Sequence, residues 1–160
     1  MKPKVIAAHM QAAEVYAKLS TAQRLQVGAI IVKDDRIISI GYNGMPAGWD
    51  NNCEDVESTY DERDTHHSTD WKFNKDDKKF YRLKTKPEVL HAEANAIAKV
   101  ARSSESAENS VLFVTHAPCI ECAKLIYQSG VSKVYFKHQY RDQSGLTFLN
   151  KASIITEQLK

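Results

Sequence analysis

The feature that most constrains the fold is the order of its predicted elements, a β-hairpin followed later by alternating helices and strands. Residues 27–42 form two β-branched runs joined by Asp34 and Asp35, a pattern typical of an antiparallel hairpin. Apolar spacing predicts the other elements, which are helices at 3–19, 88–102, 119–128 and 145–150 and strands at 110–115, 131–137 and 153–156. This order predicts an α/β fold with three α/β/α layers and a mixed five-stranded sheet.

Residues 50–86 interrupt this pattern. Residues 50–64 contain seven acidic residues and one basic residue, whereas residues 71–86 contain seven basic and two acidic residues. Such a segment buries little, so we expect a long polar insertion holding at most a short helix. A length of 160 residues predicts one domain, spanning 1–160.

Charge, apolar runs and cysteine count restrict which partners and which cellular compartment we expect. A net charge of +2 is too small to indicate a nucleic acid or a membrane as the partner, and the apolar runs are too short to cross a bilayer. The amino terminus lacks the apolar core of a secretory signal, so we expect a cytoplasmic protein. An odd count of three cysteines argues against a disulfide framework.

Two short motifs indicate a metal centre. Cys119 and Cys122 are three residues apart at a predicted helix start, so their side chains project to the same side of its first turn. The helix amino terminus favours the thiolate form that a metal requires. His91 adds a nitrogen ligand, and zinc held by three protein ligands keeps a fourth position for water, as catalytic sites do.

His-x-Glu followed by Pro-Cys-x-x-Cys is the sequence signature of zinc deaminases. Glu93 is then the proton carrier, because near a helix start it can stand beside the reacting water without binding the metal. The metal lowers the pKa of water toward ~7, and Glu93 protonates the ring nitrogen and helps ammonia to leave. Two other interpretations stay open. A redox cysteine pair leaves His91 and Glu93 unexplained, and a structural zinc site needs a fourth ligand.

At these residues the sequence resembles the cytidine and deoxycytidylate deaminase superfamily, over most of the chain except 50–86. Residues 20–29, 41–48 and 119–126 are similar to the deoxycytidylate (dCMP) deaminase branch, and Gly-Tyr-Asn-Gly-Met-Pro within 41–48 is the most specific stretch. The resemblance implies hydrolysis of dCMP to dUMP for thymidylate synthesis. It also implies a homohexamer activated by dCTP and inhibited by dTTP, with Mg²⁺ accompanying the regulatory triphosphate.

The resemblance assigns further residues to two nucleotide sites. The regulatory site takes Gly44, Met45, Pro46 and Gly48. Asn43 is expected to reach the substrate sugar or phosphate and so to link the two sites. Without the family, this stretch is equally well explained as a plain loop after a hairpin.

Three other residues are candidates for the substrate site. Arg24 supplies a cation for the phosphate, Ala29 lets the base approach the backbone, and Tyr140 stacks on the base. Each has an ordinary structural explanation: a solvated arginine, a core alanine and a half-buried tyrosine.

Other functions and one other metal site stay open. Cys53 with His66 or His67 is a candidate for a second, structural zinc site, although no fourth ligand is evident. A tRNA adenosine deaminase or a free-base deaminase would carry the same metal motif. A catalytically silent nucleotide-binding regulator is the alternative from another class, and Glu93 argues against it because binding alone does not require this residue.

Overall fold

A computed structural model of the chain describes residues 1–61, 71–76 and 78–160. In chain order the elements are α1 (Pro3–Ala17), β1 (Gly28–Lys33), β2 (Arg36–Tyr42), β3 (Glu54–Asp61), β4 (Lys72–Asn74), β5 (Lys79–Thr85), α2 (Ala92–Ala101), β6 (Val111–His116), α3 (Ile120–Gln128), β7 (Lys133–His138), α4 (Ser144–Lys151) and β8 (Ile155–Gln158). Within the described ranges, no helix is long and apolar enough to cross a membrane.

Five strands form the main sheet, in the order β2-β1-β6-β7-β8. Strand β1 runs antiparallel to β2 and β6, whereas β6, β7 and β8 run parallel to one another. Asp34 and Asp35 join β1 to β2 with positive φ angles of 50° and 57°, as a two-residue hairpin turn requires. The predicted α/β fold with a mixed five-stranded sheet is confirmed.

Helices cover both faces of this sheet, because successive residues of a strand point to opposite sides. One face packs on α1, and its core residues are Met10, Ala13, Ile30, Val32, Phe113 and Tyr135. The other face packs on α2, α3 and α4, and its core includes Ala29, Ile31, Ala92, Ala96, Leu112, Val114, Ala123, Val134 and Leu149. The two clusters alternate along β1 and β6, which gives the three predicted layers.

Helix α2 begins later than the apolar spacing predicts. The prediction of a helix from Glu88, with Pro87 at its start, is wrong, since α2 starts at Ala92. Leu90 and Gly44 instead exchange two backbone hydrogen bonds, at 2.9 and 3.1 Å. This isolated bridge holds the backbone extended up to His91.

The polar insertion forms a second sheet, with strand order β3-β5-β4. The expectation of at most a short helix at 50–86 is therefore wrong for the described residues, which form three strands and their connections. The physical reason is charge pairing between the acidic and basic halves of the insertion. Asp55 lies opposite Lys84 across β3 and β5, and the carboxylate of Glu57 pairs with the guanidinium of Arg82.

Candidate active site

Three predicted metal ligands converge between α2 and α3. The Sγ atoms of Cys119 and Cys122 lie 3.6 and 3.3 Å from His91 Nδ1, and all three ligand atoms lie within 4.8 Å of one another. His91 and Cys119 are the residues immediately before their helices, with extended ψ angles of 152° and 170°. Cys122 lies in the first turn of α3, where its thiol faces the same point as that of Cys119.

Helix α2 is fixed to β2, which sets the position of His91. Ser39 Oγ donates a 2.7 Å hydrogen bond to the carbonyl of Ala96, and Asn95 Nδ2 donates a 2.8 Å bond to the carbonyl of Tyr42. Gly41 permits this close approach, because a Cβ at that position would lie 2.0 Å from the carbonyl oxygen of Ala92.

The segment that carries Cys119 is held in a similar way by α4. A Cβ on Gly145 would lie 2.0 Å from the carbonyl oxygen of Pro118 and 2.8 Å from the carbonyl of Cys119. A glycine at this position of α4 therefore lets the helix pack against the backbone that carries the first thiol.

The geometry of the three ligand atoms fits zinc. Tetrahedral zinc with Zn–S near 2.3 Å and Zn–N near 2.0 Å places neighbouring nitrogen and sulfur ligands roughly 3.5 Å apart. The observed Sγ–Nδ1 distances of 3.3 and 3.6 Å agree with this value. One imidazole nitrogen and two thiols are also a donor set that zinc prefers.

The two thiols differ in acidity. Hydrogen bonds with Cys122 and with His91 lower the pKa of Cys119 to about 3. The hydrogen bond with Cys119, together with burial, raises the pKa of Cys122, and the hydrogen bond with Cys119 raises the pKa of His91. The cluster thus supplies a thiolate at neutral pH, which is the form that binds a metal.

Glu93 lies buried next to these ligands. Its residue is only 5% exposed, and burial raises the pKa of its carboxyl group. It interacts electrostatically with His91 and Cys119 but is not one of the three clustered ligands. A buried carboxyl group beside a metal site, with an elevated pKa, is suited to accepting and releasing a proton.

A cavity of about 530 Å³ opens onto this cluster, and its wall includes His91, Glu93 and Cys119. This volume is within the range of small-molecule sites. A smaller cavity of about 200 Å³ adjoins it, and both are lined by Arg24 and Arg141. These two arginines therefore lie where the two cavities share their wall.

Comparison with known proteins identifies the family. Residues 3–138 match the family model described as the cytidine and deoxycytidylate deaminase zinc-binding region. The chain belongs to this family. The predicted family and the predicted class, a hydrolytic deaminase with a zinc-binding domain, are confirmed.

Individual relatives span most of the chain. An uncharacterised deaminase of Aliivibrio fischeri is 38% identical over 132 residues, covering 82% of this chain and 71% of that protein. The deoxycytidylate deaminase of Enterobacteria phage T4 is 33% identical over 147 residues, covering 82% and 76%. The crystal structure of a dCMP deaminase from the cyanophage S-TIM5, in complex with dCMP and dUMP, matches with a TM-score of 0.80 at 38% identity, covering 99% of both chains.

Three of the four predicted substrate residues line the cavity. Arg24 donates from Nη1 to Thr85 Oγ1 at 2.9 Å, which orients its guanidinium, and half-buried Tyr140 forms part of the wall. Asn43 also lines the cavity, but its amide accepts from the backbone of Val27 at 2.7 Å and donates to that of Leu25 at 2.8 Å. Its contact with a substrate stays a prediction.

The fourth predicted substrate residue, Ala29, lies elsewhere. It is completely buried in the core cluster with Ala92 and Ala96, and it is not among the residues that line the cavity. The structure thus places Ala29 in the packing beneath α2 and does not bring it to the site.

The predicted regulatory residues form a loop that contacts the segment before His91. Gly44 pairs with Leu90, and Met45 packs against the small cluster of Ala22, Cys53 and Val89. Pro46 accepts a backbone hydrogen bond from Trp49, and Gly48 has a φ angle of +86°. The loop therefore contacts the chain just before His91.

The second zinc site stays a prediction. Cys53 is completely buried, and its Sγ lies 3.4 Å from Thr21 Oγ1. His66 and His67 lie outside the described residues.

Several residues that line the cavity were not predicted from the sequence. The insertion contributes Glu54, Lys72, Leu83 and Thr85, the end of β6 contributes His116, and the segment after β7 contributes Gln139 and Arg141. The only indication in the sequence was the excess of basic residues at 71–86. That excess does not show which of these residues reaches the cavity.

Proposed function

We propose that the chain converts dCMP to dUMP by hydrolytic deamination, and that His91, Cys119 and Cys122 hold the zinc ion. The observation that carries this proposal is a cavity whose wall includes His91 and Cys119 of the N/S/S cluster, buried Glu93, and two arginines, Arg24 and Arg141. The relatives described as dCMP deaminases, from phage T4 and cyanophage S-TIM5, support the choice of substrate.

The residues of the chain divide the chemistry between them. When bound, zinc would act as a Lewis acid and lower the pKa of water. Glu93 accepts a proton from the water that attacks the amino-bearing ring carbon, and it delivers that proton to the adjacent ring nitrogen. Glu93 then transfers the second proton of this water to the amino group, which leaves as ammonia. The products, dUMP and ammonia, balance dCMP and water.

Substrate orientation falls to the other residues of the cavity wall. Arg24, with Arg141 beside it, provides the charge that binds the phosphate, and Tyr140 provides an aromatic face for the base. We treat residues 1–160 as one deaminase domain in which the inserted sheet forms part of the substrate cavity.

Regulation and assembly complete the proposal. We infer that the loop 44–48 binds dCTP as activator and dTTP as inhibitor, with Mg²⁺ bound to the triphosphate, in a homohexamer that works in the cytoplasm. The Gly44–Leu90 bridge supports a link between the two sites, because it joins this loop to the residue before His91. The sequence similarity of residues 41–48 to the dCMP deaminase branch supports the choice of effectors.

A substrate panel tests the proposed reaction. Zinc-loaded protein is incubated with dCMP, deoxycytidine, cytosine and a tRNA, and ammonia release is measured for each. We expect turnover of dCMP to exceed that of the others by at least tenfold, because deoxycytidine and cytosine offer no phosphate to Arg24 and a tRNA is not a mononucleotide. Preferred deamination of the tRNA or of cytosine would contradict the substrate while leaving the family unchanged.

A further inference from the structure

A buried carboxylate in the cavity wall has no role in the chemistry described above. Glu54, the first residue of β3, is only 3% exposed and lines the same cavity as Glu93. One of its carboxylate oxygens, Oε1, accepts backbone hydrogen bonds from Gln23 at 3.0 Å and from Arg24 at 3.2 Å. The other, Oε2, is buried and has no hydrogen-bond partner within the described part of the chain.

Its bonds to the backbone at residues 23 and 24 explain only one of the two carboxylate oxygens of Glu54. The two backbone N–H groups at 23 and 24 need a single acceptor oxygen, which a neutral side chain would also supply. Leaving the second oxygen of a buried carboxylate unpaired costs stability. Because Glu54 lines the cavity, a ligand that carries a hydrogen-bond donor can supply the missing partner once the side chain turns this oxygen toward the cavity.

The chemistry of the ligand restricts which donor this is. A carboxylate repels a phosphate, so Glu54 Oε2 does not face the phosphate oxygens. dCMP carries two neutral donors, which are the amino group of the base and the 3′-hydroxyl of the sugar. The amino group leaves at the metal cluster, where Glu93 interacts with His91 and Cys119. The 3′-hydroxyl is the donor that remains.

The neighbours of Glu54 connect it to the proposed phosphate ligand. Its Oε1 holds the backbone of Arg24, the proposed phosphate ligand, and in a nucleotide the sugar follows the phosphate directly. Asn43 holds the next part of the same loop, at Leu25 and Val27, and also lines the cavity. We propose that Glu54 Oε2 accepts a hydrogen bond from the 3′-hydroxyl of dCMP, an inference that rests on the proposed substrate.

The test compares dCMP with its 2′,3′-dideoxy analogue, which lacks only that hydroxyl. Native protein is expected to lose about 30-fold or more in kcat/KM on the analogue, because the buried oxygen is then left unpaired. In Glu54→Gln the carbonyl oxygen still holds the loop and an amide group replaces Oε2. We expect this variant to lose kcat/KM on dCMP but to keep most of its kcat/KM on the analogue. The ratio of the two kcat/KM values should therefore fall to a few-fold. Glu57→Gln, an acid on the same strand that lines only the smaller cavity, is expected to discriminate like native protein.

Three outcomes separate the possible errors. Native protein that uses both nucleotides within threefold of each other overturns the role of Glu54 without any variant. Equal loss on both nucleotides in Glu54→Gln, or in Glu54→Asp if the first variant does not fold, shows that Glu54 only holds the loop. Zinc-loaded native protein that does not turn over dCMP overturns the proposed function, and the assignment of Glu54 with it.

Discussion

The residues proposed to hold the metal and to move the proton are brought together by two helix starts. His91 precedes α2 and Cys119 precedes α3, and their extended backbones turn both side chains toward one point. Glu93 follows His91 by two residues and points into the buried space beside the ligands. A sequence separation of 28 residues between His91 and Cys119 therefore becomes an Nδ1–Sγ distance of 3.6 Å.

Arg24 provides a test of phosphate binding at the same scale. Replacing it with alanine should lower kcat/KM for dCMP about 10- to 100-fold, the size of a hydrogen bond to a charged group, and should change deoxycytidine turnover little. Arg36→Ala is the matched control, because Arg36 lies in the hairpin and pairs with Glu105. Equal losses of Arg24→Ala on dCMP and deoxycytidine would contradict a role in phosphate binding.

A site residue can be predicted from the sequence when residues close to it along the chain fix its position. His91, Glu93, Cys119 and Cys122 follow from the sequence because short spacings fix their relative directions at helix starts. Glu54 does not, because only the inserted strand brings it to the cavity. Ala29 fits the strand pattern equally well as a core residue or as a site residue; it is completely buried beneath α2, and its role beside a substrate stays a prediction.

At the scale of elements, two glycines allow the helices that carry the ligands to lie close to their neighbours. Gly41 lets α2 approach β2, and Gly145 lets α4 approach the segment 118–119. In both positions an added methyl group would collide with a backbone carbonyl, which side-chain rotation cannot relieve. Ligand geometry therefore depends on these two contacts between elements.

Gly41→Ala and Gly145→Ala should each lower both the melting temperature and the zinc content of the purified protein. Overpacking of this kind typically costs about 1–3 kcal/mol, which corresponds to a Tm lower by several degrees. Gly44→Ala is the control, because a Cβ there would meet nothing within 4 Å. Unchanged Tm and zinc content in the first two variants would contradict the close packing.

The order of elements could be predicted from the sequence, but two details could not. The hairpin and the alternation after it follow from residue patterns, whereas the start of α2 is set by a long-range bridge between Gly44 and Leu90. The strands of the insertion could not be predicted, because its opposite charges pair only across β3 and β5. Taken separately, the acidic residues 50–64 and the basic residues 71–86 each have the charge pattern of a solvated loop.

At the scale of the whole molecule, the proposed regulation requires the loop 44–48 to influence the metal site. Because the loop is joined to Leu90, an effector that shifts it would also displace the backbone next to His91. A ligand shifts such an equilibrium only through different affinities for the two states. The effectors should therefore change the affinity for dCMP.

Light scattering with and without dCTP tests this assembly. We expect particles of six times the 18.1 kDa chain mass, and a lower KM for dCMP with dCTP than with dTTP. Gly48 has a φ angle of +86°, which valine rarely adopts. Replacing it with valine should weaken the effects of dCTP and of dTTP on KM while leaving the zinc content unchanged. A monomer whose KM responds to neither triphosphate would contradict the proposed regulation.

The central claim is that Glu93 moves the protons of a zinc-dependent deamination of dCMP. The most direct measurement follows the ultraviolet absorbance of dCMP with native protein and with Glu93→Gln, each shown to contain one zinc ion per chain. The account predicts turnover by native protein and a loss of about 10²–10⁴-fold or more in the variant. A zinc-loaded Glu93→Gln variant that deaminates dCMP at the native rate would contradict it.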